Sequence, residues 1–470
     1  MASSEETSLI LPWRRGLWWF LAVESLCLIG FLLCLYFRQT ALALLFLVGP
    51  VHVLVVTSLF RSNILLLSFF AGVFPLTMLE LLPHFYREMG LYGGILGLIA
   101  FLLMTKFVVS DSKEKSRLGP GEKIALLLVA VCVLSSGTNA FLNGYGSMRM
   151  IRYSVVMLIV VLAVWIFAVV PDSVSQVRTL TYMMAFSCAL TCFALPFLLG
   201  SMGSKVFVTT FGDGNLNLVG MSVGSFAAVL LGALFDSGRK RSKGFLVVAV
   251  VVLLAVLAYT RSRGAWLGFG FAFLYILART RSFKPLVLAA GVGAVLLSLD
   301  VFRFAILVRV EQTGVQDPSL MGRFVLWKTA LEAIKSNWLI GLGVENFRFL
   351  KYNYGFPVLM DPLNWHGAHN MFLEAFVSLG IVGGASFTLM PIVSFLRLDR
   401  LARRRRSFGA RGLVIGLNAG VVAYAIHCLL DSPGWHAPTF SLWGILLGLS
   451  LAMARVSENK SGVAVCRDVV

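Results

Sequence analysis

The chain has 470 residues, of which 58% are hydrophobic and 13% charged, with a formal net charge of +18. A soluble domain carries roughly 25% charged residues, so this composition, spread over the whole length, excludes a water-soluble globule with a single anchor. The apolar runs are continuous and about 20 residues long, the helix length of a hydrocarbon core, where a barrel would alternate apolar with polar. The Lys and Arg residues fall mostly in alternate loops, which makes the positive charge a topology signal and removes nucleic acid as the partner. The seven cysteines include Cys27, Cys34, Cys188 and Cys192 inside apolar runs and form no disulfide or zinc pattern.

Arg14 and Arg15 precede the first run and no small-residue cleavage site follows, so the sequence predicts an uncleaved first span. Hydropathy then predicts spans at 17–37, 40–60, 64–83, 91–109, 123–141, 153–171, 179–199, 216–235, 245–260, 264–279, 285–301, 369–396, 411–430 and 438–455. The expected fold is an all-α, polytopic transmembrane bundle of about 12–14 spans. Its parts would be a first bundle section at 1–301, a loop at 302–368 and a last bundle section at 369–470. Four basic stretches, Lys106 to Arg117, Arg239 to Lys243, Arg279 to Lys284 and Arg397 to Arg411, share one side with both termini. The positive-inside rule makes that side cytoplasmic.

The connection at 302–368 is the exception in length, and long loops are functional or disordered. Its aromatic content and helical periodicity predict order. Leu320, Phe324, Trp327, Leu331, Ile334 and Trp338 recur at spacings of three and four, with Lys328, Glu332 and Lys335 opposite. This is an amphipathic helix expected to lie over the bundle or at the membrane interface.

Several polar residues break local rules. Arg323 lies beside the apolar stripe and in a first helical turn, where the dipole disfavours a cation. It is either a snorkelling arginine or a phosphate-binding arginine facing a cleft. Thr260-Arg261-Ser262-Arg263-Gly264 forms a tight outer turn, against the orientation rule; Arg261 and Arg263 are either interfacial anchors or an arginine pair suited to a diphosphate. His366-Gly367-Ala368-His369-Asn370 immediately precedes a span. At a helix N-terminus the dipole disfavours imidazolium, so His369 is a candidate general base, and the backbone N–H groups there are a candidate anion site. Glu374 would orient the ring, bind sugar hydroxyls or serve as a helix-interior acid. Glu24, His52, Glu80, His427 and Asp431 lie in or beside spans without an assigned role. No Asp-x-Asp or histidine ligand set is apparent, so no metal and no cofactor are expected.

Three stretches in order resemble the bacterial O-antigen ligase and O-antigen polymerase superfamily over roughly residues 200–400. They are Ser262-Arg263-Gly264 opening a span, Gly322-Arg323 with Trp327 and then Leu339 to Phe347, and His369-Asn370 followed by Gly380-Ile381-Val382-Gly383-Gly384. Asn215 and Asn217 resemble the family's Asn-rich segment, with Leu216 in place of its usual proline. The resemblance implies twelve spans, an undecaprenyl-diphosphate-linked glycan donor, and inverting, metal-independent transfer on the outer face of the bacterial inner membrane. It implies His369 as the catalytic residue and Arg263 and Arg323 as donor-diphosphate ligands. Arg261 would assist them, and Asn370, Glu374 and His366 are supporting candidates. The acceptor would be lipid A–core for a ligase or a growing polysaccharide for a polymerase. The rival of another class is a lipid-linked glycan flippase or transporter, against which stand the lack of repeated halves and the ordered loop ending in His-Asn.

Overall fold

The computed structural model describes residues 120–144, 148–199, 216–235, 240–298, 318–358, 367–404, 410–432 and 437–467. Within them the chain is helical throughout, in the order α1 Pro120–Leu142, α2 Met148–Val169, α3 Val174–Leu199, α4 Leu216–Ala233, α5 Lys240–Tyr259, α6 Arg263–Thr280, α7 Lys284–Ser298, α8 Pro318–Ser336, α9 Phe347–Leu350, α10 Met371–Arg404, α11 Arg411–Leu430 and α12 Ala437–Arg467. A 3₁₀ turn, Lys351–Tyr354, follows α9. The predicted spans from 123–141 onward coincide with these helices to within a few residues, except that α10 and α12 run further at their C-terminal ends. The first four predicted spans lie outside the described residues. Leu216–Ala233, Met371–Arg403 and Arg411–Leu430 are long and apolar enough to cross a membrane, so the chain is an integral membrane protein.

Lipid offers no hydrophobic drive between helices, so close approach through small residues must supply the packing. The centre of the bundle uses it. A Cβ on Gly232 of α4 would collide with the Gly416 backbone of α11, one on Gly268 of α6 with the Ala423 carbonyl, and one on Gly448 of α12 with Phe167 of α2. The fully buried Trp443 stacks on Tyr424, ring centroids 4.6 Å apart, and ties α12 to α11.

Helices α6 and α11 run antiparallel between two ties. At one end the Arg411 guanidinium donates to the Arg279 carbonyl at 2.6 Å; at the other the His427 ring rests on Gly264. About 15 residues separate the ties on each helix, roughly 23 Å at the α-helical rise. Helix α10 is longer. It is tied to Arg411 at Ala402 and, through His369, to Asp431. Between those points it carries about 33 residues, roughly 50 Å if straight, against about 30 Å along α11.

The surplus is taken up at Gly380, whose φ of 68° and ψ of −170° interrupt the helix. The turn Trp338–Gly343 docks into the break. Ile381 N–H donates to the Trp338 carbonyl at 2.7 Å, Leu342 N–H to Val377 at 2.8 Å and Gly343 N–H to Ser378 at 3.0 Å. These bonds satisfy backbone groups that a helix break would otherwise orphan. A Cβ at Gly380 would strike the Leu339 carbonyl and one at Gly341 would strike Ser378. Two stretches far apart in sequence are therefore one structural unit.

The amphipathic helix is present, but its packed face differs from the predicted stripe. Leu326, Ala330 and Ala333 are fully buried, in a cluster with Leu342, Phe347, Phe356, Ala368 and Val377. Phe324, Leu331 and Trp338, read from sequence as part of the apolar stripe, are about half exposed at 53%, 48% and 57%. The reason is size: small side chains let α8 approach α10 closely, which pushes the bulky ones to the outside.

Candidate functional site

The site is assembled from four chain segments at one end of the bundle. The first is the turn before α6. Thr260 Oγ1 donates to the Leu257 carbonyl at 2.7 Å, and Trp266 Nε1 donates to the same carbonyl at 2.9 Å. Ser262 is the N-cap of α6, its hydroxyl accepting from Ala265 N–H at 3.4 Å. Arg261 between them is held in the left-handed region at φ 53°, a conformation that non-glycine residues adopt only under local constraint. Gly220 of α4 packs beneath, with room for no side chain between it and Thr260, Ser262 and Ala265. Arg261 and Arg263, both half-buried, are thus carried on a rigid turn.

The second segment is the turn before α10. His369 is left-handed at φ 48° and Gly367 at φ 71°. Glu374, 1% exposed, reaches back so that its Oε2 accepts from Ala368 N–H at 2.5 Å. Asn370 Oδ1 accepts from Phe372 and Leu373 N–H at 3.0 and 3.1 Å and caps the helix. Both supporting candidates therefore brace the backbone rather than the ring. Because Asn370 occupies the first amides of α10, the anion site expected there is already filled from within. His366 lies outside the described residues, as does Asn215; Asn217 sits in the first turn of α4.

The third segment is the end of α11, which sequence reading had left without a role. Asp431 Oδ1 lies 2.7 Å from His369 Nδ1 and accepts from Ser432 N–H at 2.9 Å. Asp431 is 4% exposed. Burial alone would raise its pKa, but the hydrogen bond with His369 and the electrostatic influence of His369, His427 and Arg323 outweigh this and hold it down to about 2. An ionised carboxylate only accepts, so Nδ1 of His369 carries a proton toward it, which leaves Nε2 as the nitrogen that can take a proton from a substrate. The His369 side chain is 24% exposed and Asp431 5%, so the carboxylate is shielded while part of the ring faces outward.

The fourth segment is α8. Arg323 Nη2 stands 3.9 Å from Asp431 Oδ2, within ion-pair range but beyond hydrogen-bond length. One turn below Asp431, His427 is 1% exposed and pressed against Gly264. That contact sets the backbone of the Arg261–Arg263 turn beside the His369–Asp431 pair. His369 and Arg323 therefore meet at Asp431, and the turn that carries Arg261 and Arg263 lies against His427, one helical turn away. The sequence signal for Asp431 was an acid closing a span at the same end as Arg263 and His369; nothing in one sequence marked it as their neighbour. Among the described residues no three His, Cys, Asp or Glu side chains are gathered as a metal site.

The sequence family described as O-antigen ligase matches residues 248–388, from within α5 through the Gly380 break. An uncharacterised protein of Haemophilus influenzae is 24% identical over 200 residues, 38% of this chain and 50% of its own length. The chain thus spans about half of that curated relative. The matched segment contains Arg261, Arg263, Arg323 and His369, and it stops short of Asp431. Residues 248–388 of this chain are thus similar to the O-antigen ligase family, and this match supports a place in the superfamily of O-antigen ligases and polymerases.

Proposed function

We propose that the protein transfers a glycan from an undecaprenyl-diphosphate donor to a sugar hydroxyl on the outer face of the bacterial inner membrane. In this reading it is an O-antigen ligase with lipid A–core as acceptor. The observation that carries the reading is the 2.7 Å His369–Asp431 pair with Arg323 beside it. A neutral imidazole backed by a buried carboxylate is a general base, and the carboxylate stabilises the imidazolium that forms.

The acceptor hydroxyl gives its proton to His369 Nε2 as its oxygen attacks the anomeric carbon. The bond from that carbon to the phosphate oxygen breaks on the opposite face, inverting the centre. The bonding pair leaves with the diphosphate, where Arg263 and Arg323, assisted by Arg261, stabilise the developing charge. A polyprenyl donor enters from the surrounding leaflet, which suits a site at the end of a helical bundle rather than in its middle. Neither a metal nor an organic cofactor has a step in this scheme. The basic Arg411 end faces the cytoplasm with both termini, and the Asp431 end faces the periplasm.

The test is transfer by the purified protein in liposomes, with His369→Ala as the variant. Loss of product with intact thermal unfolding supports the base assignment; near-wild-type turnover sinks it. Product size separates ligase from polymerase. A single transfer to lipid A–core marks a ligase, and ladders on the lipid carrier mark a polymerase.

A further inference from the structure

His427 is a buried group at the site that the transfer scheme leaves unused. Its ring is fully enclosed, and neither nitrogen reaches a hydrogen-bond partner of normal geometry among the described residues. The nearest backbone is Gly264, where an added Cβ would come within 3.1 Å of Nδ1. Two buried polar atoms without partners cost free energy that a phenylalanine or leucine in the same space would avoid. Packing alone therefore does not account for a histidine here.

Its place on α11 supplies a role. His427 precedes Asp431 by four residues, and its carbonyl accepts from Asp431 N–H at 3.0 Å. Side chains at that spacing share a helix face. Asp431 uses Oδ1 for His369 and for Ser432 N–H, while Oδ2 has Arg323 at 3.9 Å. Arg323 is also the arginine assigned to the donor diphosphate, and at 3.9 Å it leaves Oδ2 without a hydrogen bond.

We propose that His427 is a positioning residue that takes over Oδ2 of Asp431 when Arg323 turns to the donor diphosphate. A ring N–H of His427 donates to the vacated oxygen. The carboxylate then keeps its angle to His369 Nδ1 through the transfer step, and the base stays aligned although its arginine neighbour has moved. The exchange rests on the reading of Arg323 and His369 given above.

The experiment compares His427→Phe, His427→Leu and His427→Gln in the full-length protein in liposomes, with a synthetic polyprenyl-diphosphate oligosaccharide as donor and lipid A–core as acceptor. Phe and Leu should lower kcat by about 10- to 100-fold, the range for a group acting one hydrogen bond removed from the reacting atoms. Donor KM should stay within about twofold, because the interaction forms only after binding. Gln, which retains an N–H donor, should recover most of kcat. In an Asp431→Asn background, His427→Phe should have little further effect. Wild-type kcat in His427→Phe, equal changes in kcat and KM, or a Gln variant no better than Leu would each overturn the exchange. Loss of folded protein in both Phe and Leu variants would overturn it too, since the ring would then serve stability. A His369→Ala protein that still transfers strikes the base assignment itself. An inactive His369→Ala beside a fully active His427→Phe strikes the exchange alone.

Discussion

The two ends of α10 and α11 set one buried aspartate against another. At the basic end Asp399 receives Arg279 through two bonds of 2.5 and 3.0 Å, Arg403 at 2.8 Å and the Tyr275 hydroxyl at 3.1 Å. Asn418 extends the network by donating to Tyr275 at 2.8 Å. At the other end Asp431 has a histidine, one amide and an arginine that stops at 3.9 Å. The residue types are alike, and the saturation differs. Asp399 has its oxygens closely filled by donors on its own and a neighbouring helix, so it holds α6 to α10. Asp431 is held on one oxygen and loosely attended on the other, an arrangement suited to a group whose neighbours change during a reaction.

That contrast can be broken by exchanging the consequences of mutation. The largest effect is expected from His369→Ala, with transfer reduced by about 10²–10⁴-fold, the usual contribution of a positioned base, in a protein that still folds. Asp431→Asn should follow, lowering kcat by at least about tenfold while Asp399→Asn leaves kcat nearly intact. Stability should rank the other way. Asp399→Ala strands Arg279 and should cost about 3 kcal/mol, the low end for breaking a buried pair because Arg403 is largely exposed. Equal losses of activity from Asp399→Asn and Asp431→Asn would erase the distinction.

Arginine chemistry sharpens it further. Arg263→Lys and Arg323→Lys keep the charge but lose the planar fork, so donor KM should rise several-fold or more in each; normal KM in both would remove bidentate diphosphate binding. The smallest effect is on acid stability. The pair lowers the Asp431 constant from 3.8 to about 2. Its stabilising contribution is therefore complete above pH about 4 and is lost as pH falls through about 2. Asp431→Asn should flatten that part of a plot of unfolding temperature against pH.

Much of the fold was legible because membrane helices announce themselves by length and apolarity, and α4, α6 and α11 fall where hydropathy put them. The packed face of α8 was not, because periodicity weighs Phe324 and Trp338 above Ala330 and Ala333, whereas close contact with α10 selects the small ones. Of the site, Arg263, Arg323 and His369 were legible as charges or polar groups in the wrong place and by family resemblance. Asn370 and Glu374 were picked out as support for the histidine, and their side chains bond to the backbone of their own turn. Asp431 was missed since its meaning lies in a contact with a residue 62 positions away, a relation that no local pattern carries.

The docked turn at Gly380 has a further consequence for how such a chain can diversify. The height and heading of His369 are fixed by the Trp338–Gly343 wedge in the helix break and by the Glu374 latch on Ala368, both short and local. The exposed face of α8, with Lys328, Glu332 and Lys335, carries no such duty. It is free to change character as acceptors differ between surfaces, while the histidine keeps its station over the aspartate.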